Sequence, residues 1–304
     1  LEPAVAVDAG RFEESRLFLR PTVGGRRLKS RLVVILTGVA FLIALVPLVS
    51  IASFVASRGF AVIRPEFFTQ DPPGDLSAVG GGIRNAIVGT LEMTALATII
   101  AVPLGLLVAI FDAEVGGRLS TLTRFVIDVL AALPSIVIGI FVYELVVVTQ
   151  RHYSGFAGAA ALAVIMLPTI VVSAEEMLRL TPRPVAEGVR ALGLSRWRSF
   201  FSVLLPAALS GIFTGVLLAV SRAIGETAPL LFTALGNNFF SLDLDEPMQG
   251  LPLLIYRNAL NSAFPPARDR AMGAALVLVA IVLLFNLMGR WIVARRRPSA
   301  AGRG

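Results

Sequence analysis

The sequence holds no cysteine, one histidine and one lysine among its 304 residues. The missing cysteines exclude disulfides, thiolate metal sites and cysteine nucleophiles together. The one histidine, His152, cannot supply the three or four nitrogen and sulfur ligands of a zinc centre. No glycine-rich loop ending in Lys-Ser or Lys-Thr is present, so the chain is not itself an ATPase. Charge is scarce too: 15% of residues are charged and 56% are hydrophobic, with mean hydropathy +0.81, which places the chain in the membrane class.

What remains is a set of long apolar runs. A bilayer core about 30 Å thick needs roughly 20 mostly apolar residues per spanning helix. Residues 32–57, 85–111, 125–148, 155–174, 207–235 and 271–293 satisfy this. Their interior charges are few: Glu92 in the second, Asp128 and Glu144 near the ends of the third, Arg222 and Glu226 in the fifth, Arg290 in the sixth. The first run is too long for a signal peptide and follows a tail of about thirty residues, so it reads as a true span. The expected organisation is a tail over 1–31, an all-α six-span domain over 32–293 and a second tail over 294–304.

The formal charge of +7 reads as topology, since the basic residues alternate with the spans and form no nucleic-acid-binding face. Arg11, Arg16, Arg20, Arg26, Arg27, Lys29 and Arg31 precede the first span; Arg295, Arg296, Arg297 and Arg303 follow the last. The 175–206 connection adds Arg179, Arg183, Arg190, Arg196 and Arg198, whereas 57–82 has only Arg58 and Arg64. Both termini are therefore expected in the cytoplasm. Acidic turns over 71–75 and 243–247 fall outside, and 251–259 is apolar enough for a short interfacial helix.

The connection 175–206 is longer than loops between spans usually are. Residues 174–180 read as a helix stopped by Pro182 and Pro184, and 185–192 as a second, closed by Gly193. Ser195 caps a third over 197–204, which Pro206 ends. By composition alone, Trp197, Phe200 and Phe201 beside Arg196 and Arg198 also suit an amphipathic segment in the headgroups. The pattern Glu187, Gly193 and Val203-Leu204-Leu205-Pro206 is more specific, and resembles the EAA loop of ABC importer permeases. Gly188 and Val189 stand where that loop has two alanines. Further stretches resemble the same superfamily: Asn85 through Thr90, Thr94, Pro103, Gly105 and Ala109, then 133–137 with Gly139.

That resemblance implies a type I ABC importer permease fold. It also implies a coupling helix built on Glu187, Gly188, Ala191, Gly193, Leu205 and Pro206, seated in a separate ATP-binding subunit. Arg222-Ala-Ile-Gly-Glu226-Thr227-Ala-Pro-Leu-Leu231 is similar to the phosphate permeases of this superfamily, on the PstA rather than the PstC side. An arginine inside a span costs at least about 2.5 kcal/mol on insertion scales, so it has a partner or a task. Four helical residues bring Glu226 back to the face of Arg222, where a neutralising pair and an anion contact are both open. The resemblance favours the contact, since arginine's planar donors suit a tetrahedral oxyanion.

The expected substrate pathway comprises Arg222, Glu226, Thr227 and Glu92, with Glu92 also an alternative partner for Arg222. Pro103, Pro134 and Pro168 are expected to kink spans, and His152 to be solvated in an external turn. The implied partners are a homologous PstC-like permease, a PstB-like ATP-binding dimer, a PstS-like external phosphate-binding protein and membrane lipid. The chain itself is expected to bind no cofactor, ATP and magnesium belonging to the ATP-binding subunit. Three rivals stay open on residues alone: an ion-coupled secondary transporter using Glu92 and Glu226, a permease for another oxyanion, and a membrane scaffold that moves nothing.

Overall fold

A computed structural model describes residues 23–180, 195–260 and 263–296. Among the described residues the chain is helical, with a single isolated bridge between Leu235 and Met248 in place of any strand. The helices are α1 (Val23–Gly59), α2 (Pro65–Thr69), α3 (Arg84–Glu114), α4 (Gly117–Ala132) and α5 (Ser135–Gln150). They continue with α6 (Gly155–Arg179), α7 (Trp197–Ile224), α8 (Ala228–Thr233), α9 (Leu251–Leu260) and α10 (Pro265–Arg296). Five single helices, α1, α3, α6, α7 and α10, are long and apolar enough to cross a membrane, and the bent pair α4–α5 supplies a sixth candidate.

Two compact units divide the chain, 1–54 and 55–304. In the first, α1 exposes large apolar side chains from Leu32 to Phe54, as a helix that is apolar all round does when lipid is its solvent. The second is a bundle whose central pair is α3 and α6. Small residues allow that pairing: Ala97, Ala101, Gly105 and Ala109 lie on the inner face of α3. A Cβ on Gly105 would lie 2.7 Å from Ile170 Cγ2, so only glycine permits this approach. One core cluster joins Met93, Ala97 and Ala101 to Leu162, Met166 and Ile170 of α6 and to Ala219 and Ile224 of α7. A second joins Ala109, Ile127, Val171, Ala174 and Leu178 to Phe200, Ala208 and Ile212.

Four expectations are corrected. Residues 125–148 are not one continuous helix: the chain breaks at Leu133-Pro134 and turns by 107° between α4 and α5. Pro134 lacks an N–H, and Leu133 is driven into an extended conformation (ψ 136°), as a residue before proline is. Pro103 and Pro168, by contrast, sit inside unbroken helices. Residues 174–180 are no separate helix but the last turns of α6.

Pro206 does not end the third run either. A π turn over Phe200–Leu204 precedes it, with the Leu205 N–H donating to Phe200 O, and α7 continues to Ile224. Finally, α9 is packed into the bundle rather than lying free on its surface. Leu251, Leu253 and Leu254 are fully buried against α3 and α10, and the Leu251 N–H donates to Thr90 Oγ1 at 2.8 Å.

Candidate functional site

The fifth apolar run does not continue as helix through Arg222 to Glu226: α7 stops at Ile224. Gly225 caps it, donating its N–H to Arg222 O at 3.0 Å, and Glu226 follows with an N–H to Ala223 O at 3.1 Å. Glu226 and Thr227 occupy the break, after which Pro229 helps start the short α8. Arg222 thus stands in the last helical turn, where the carbonyl end of the helix dipole favours a cation.

The expected pair forms despite the break: Arg222 Nε lies 3.4 Å from Glu226 Oε1. This is a long, weak contact, with the arginine side chain 58% and the glutamate 17% exposed. Among the described residues the remaining guanidinium donors of Arg222 have no protein acceptor. They border a cavity of about 240 Å³ whose walls come from α4, α5 and α6. Among the described residues Arg222 is its one charged lining residue; Ser135, Thr169 and Ser173 contribute hydroxyls, and Leu130, Leu133, Ile138 and Ile165 contribute apolar wall. Such a chamber can present a planar cation and neutral hydroxyls to an anion while offering no second full charge to hold it.

The other expected pathway residues are not brought to this cavity. Thr227 lines a separate opening with Gly225, Pro252, Ile255 and Tyr256, between the break and α9. Glu92 lies on α3, and among the described residues its buried Oε2 has no hydrogen-bond partner, Arg222 included. Asp128 and Glu144 are exposed. Conversely, Ser135, Thr169 and Ser173 were not singled out from sequence. Two of them carried a usable signal, since Thr169 and Ser173 stand four residues apart and share one helical face.

Of the six residues expected in the coupling helix, Glu187, Gly188, Ala191 and Gly193 lie outside the described residues. Leu205 is half-buried against the second core cluster, and Pro206 is exposed on α7. The aromatic residues divide: Phe200 is buried, whereas Trp197 and Phe201 are exposed and stacked at 6.1 Å.

Outside the spans, His152 is not merely solvated. Its Nε2 lies 3.1 Å from Asp245 Oδ1 and its Nδ1 2.9 Å from Gln150 O, tying the α5–α6 turn to the loop that follows α8. The hydrogen bond to Asp245, then the one to Gln150 O, raises the imidazole above its ordinary value. Arg84 makes a bidentate pair with Asp71 at 3.2 and 2.7 Å and lies over the Phe240 ring.

Comparison with known proteins places this geometry in a family. The model for binding-protein-dependent transport system inner membrane components matches residues 101–300. A phosphate transport system permease protein PstA of Yersinia pestis is 40% identical over 274 residues, covering 90% of this chain and 92% of the relative. PstA 1 of Mycobacterium tuberculosis is 38% identical, covering 98% and 99%. Among solved structures, the MetNI methionine ABC transporter in inward-facing form aligns with TM-score 0.59 at 20% identity, covering 69% of this chain and 94% of that one. A bacterial alginate ABC transporter aligns with TM-score 0.65 at 13% identity, covering 89% and 96%. These two speak for the fold alone.

Proposed function

We infer that this chain, which belongs to the binding-protein-dependent transport system inner membrane components and within them to the PstA phosphate permeases, imports inorganic phosphate across the cytoplasmic membrane. It is a transport component of the type I ABC importer kind and not an enzyme; ATP hydrolysis belongs to a separate subunit. The observation that carries the choice of substrate class is Arg222, half-exposed, weakly held by Glu226 and, among the described residues, the one charged residue lining its cavity. Phosphate meets there a cation strong enough to draw it into the span. Glu226 competes for the same guanidinium, so the ion is released rather than trapped.

The remaining assignments extend that reading. Both termini lie in the cytoplasm, with tails over 1–31 and 294–304 and the six-span domain between them. A PstC-like permease completes the pathway, a PstS-like protein delivers phosphate outside, and a PstB-like dimer binds ATP and magnesium and receives the coupling loop within 175–206. This chain holds no cofactor. Thr227 and Glu92 are further residues of the same route.

The test is reconstitution of the chain with its three partners in liposomes. ATP-dependent phosphate uptake is expected, with Arg222→Gln abolishing uptake while the complex still assembles. Normal uptake by that variant, or uptake that collapses with the proton gradient and ignores ATP, overturns the reading.

A further inference from the structure

One carboxylate ties together three helices at the point where the chain enters residues 181–194. Glu175, one turn before the end of α6, has Oε2 3.1 Å from Arg124 of α4 and 3.5 Å from Arg179 of its own helix. Its side chain is only 13% exposed, and Asp112 at the end of α3 lies against it. Asp112 is itself buried and accepts from Thr123 Oγ1 of α4 at 2.5 Å.

The surrounding packing gives this cluster direction. Phe200, at the start of α7, packs with Ile127 of α4 and with Val171, Ala174 and Leu178 of α6. The segments that lead into and out of 181–194 are therefore seated against α4. That helix has 16 residues, about 24 Å of length at the usual rise. Its far end is the Leu133-Pro134 break, and Leu130, Ala131 and Leu133 there form part of the wall of the Arg222 cavity.

We propose that the Arg124–Glu175 pair is the joint that makes α4 follow the coupling loop, delivering displacement there to the wall of the Arg222 cavity. The proposal rests on the reading of 187–206 as the segment that docks on the ATP-binding subunit. In this role Arg124 and Glu175 are positioning residues, acting through α4 on the cavity wall. Of Glu175's two cationic partners only Arg124 belongs to another helix. Arg179 moves with α6 and cannot transmit anything to α4. The two contacts therefore separate a mechanical role from simple charge neutralisation.

The experiment uses the full complex in liposomes, measuring phosphate moved per ATP hydrolysed. Arg124→Gln and Glu175→Gln are expected to keep hydrolysing ATP while that ratio falls by roughly two- to thirtyfold, the range for a residue within a coupling network. Arg179→Gln, which removes the partner on the same helix, is expected to keep the wild-type ratio. Because Arg124 is part-exposed, its variant carries the test even where Glu175→Gln fails to assemble. A wild-type ratio in Arg124→Gln, or an equal loss in Arg179→Gln, overturns the joint. A wild-type complex that hydrolyses ATP and moves no phosphate overturns the underlying reading instead, and the joint with it.

Discussion

Gly139 offers a sharp measurement of how tightly the segments around the cavity are packed. It lies on α5, and a Cβ built there would sit 2.7 Å from Pro229 Cα and 3.4 Å from Pro229 Cβ and O, at the start of α8. The nearest atom is backbone, locked in a proline ring, so it cannot turn aside. Gly139→Ala thus forces α5 and α8 about 0.7 Å apart to regain an ordinary contact of 3.4 Å. Overpacking of this kind costs about 1–3 kcal/mol. Against it stands alanine's better helix propensity, about 0.8–1.0 kcal/mol. The clash wins, leaving a net loss of up to about 2 kcal/mol and a fall in unfolding temperature of roughly 2–4 °C per kcal/mol. Thermal unfolding in detergent, followed by the fluorescence of Trp197 and Trp291, reads the shift, and phosphate uptake should fall with it. A variant that unfolds at or above the wild-type temperature and transports normally refutes the close approach of α5 and α8.

Two further outcomes follow from the geometry. Thr90→Val keeps the side chain's shape but leaves the buried Leu251 N–H without its acceptor at 2.8 Å, which should cost about 1–3 kcal/mol in thermal unfolding. Thr90→Ser, which retains the hydroxyl, should lose much less. His152 predicts a pH dependence: its folded-state value is raised by Asp245, so the pair's contribution is complete below the ordinary imidazole value of about 6.5. That contribution is lost as pH rises through the folded value. The unfolding temperature should therefore decline more between about pH 6 and pH 8.5 in the wild type than in Asp245→Asn, and the effect should be small because the pair is exposed.

Much of this was legible because lipid imposes a simple rule: a run of apolar residues with no break must be a helix. Residues 85–111 and 155–174 became α3 and α6 with ends shifted by a few positions. What the hydropathy concealed is where a helix stops without becoming polar. Leu133-Pro134 and Gly225-Glu226-Thr227 interrupt apolar runs whose average barely registers them, and both interruptions lie near the cavity. The Arg222–Glu226 spacing gave the right pair for an incomplete reason, since the turn after Ile224, rather than continuing helix, brings Glu226 back. The burial of α9 was hidden because an apolar ten-residue helix fits an interface and a core equally well. Glu92 was grouped with Arg222 on charge alone, and charge does not say which face of α3 it occupies.

The π turn over Phe200–Leu204 buffers α7 against a change in residue number at that point. One extra residue is accommodated there, and each residue in a helix is worth about 100° of rotation. Deleting a single amino acid within the turn would straighten the backbone into regular helix. Because the turn already absorbs that residue, the portions carrying Trp197 and Arg222 would keep their facing, whereas the same deletion in the regular helix beyond Leu205 would rotate them by about 100° against each other. The turn therefore acts as slack in α7: one residue can be lost there while both ends of the helix go on presenting the same faces.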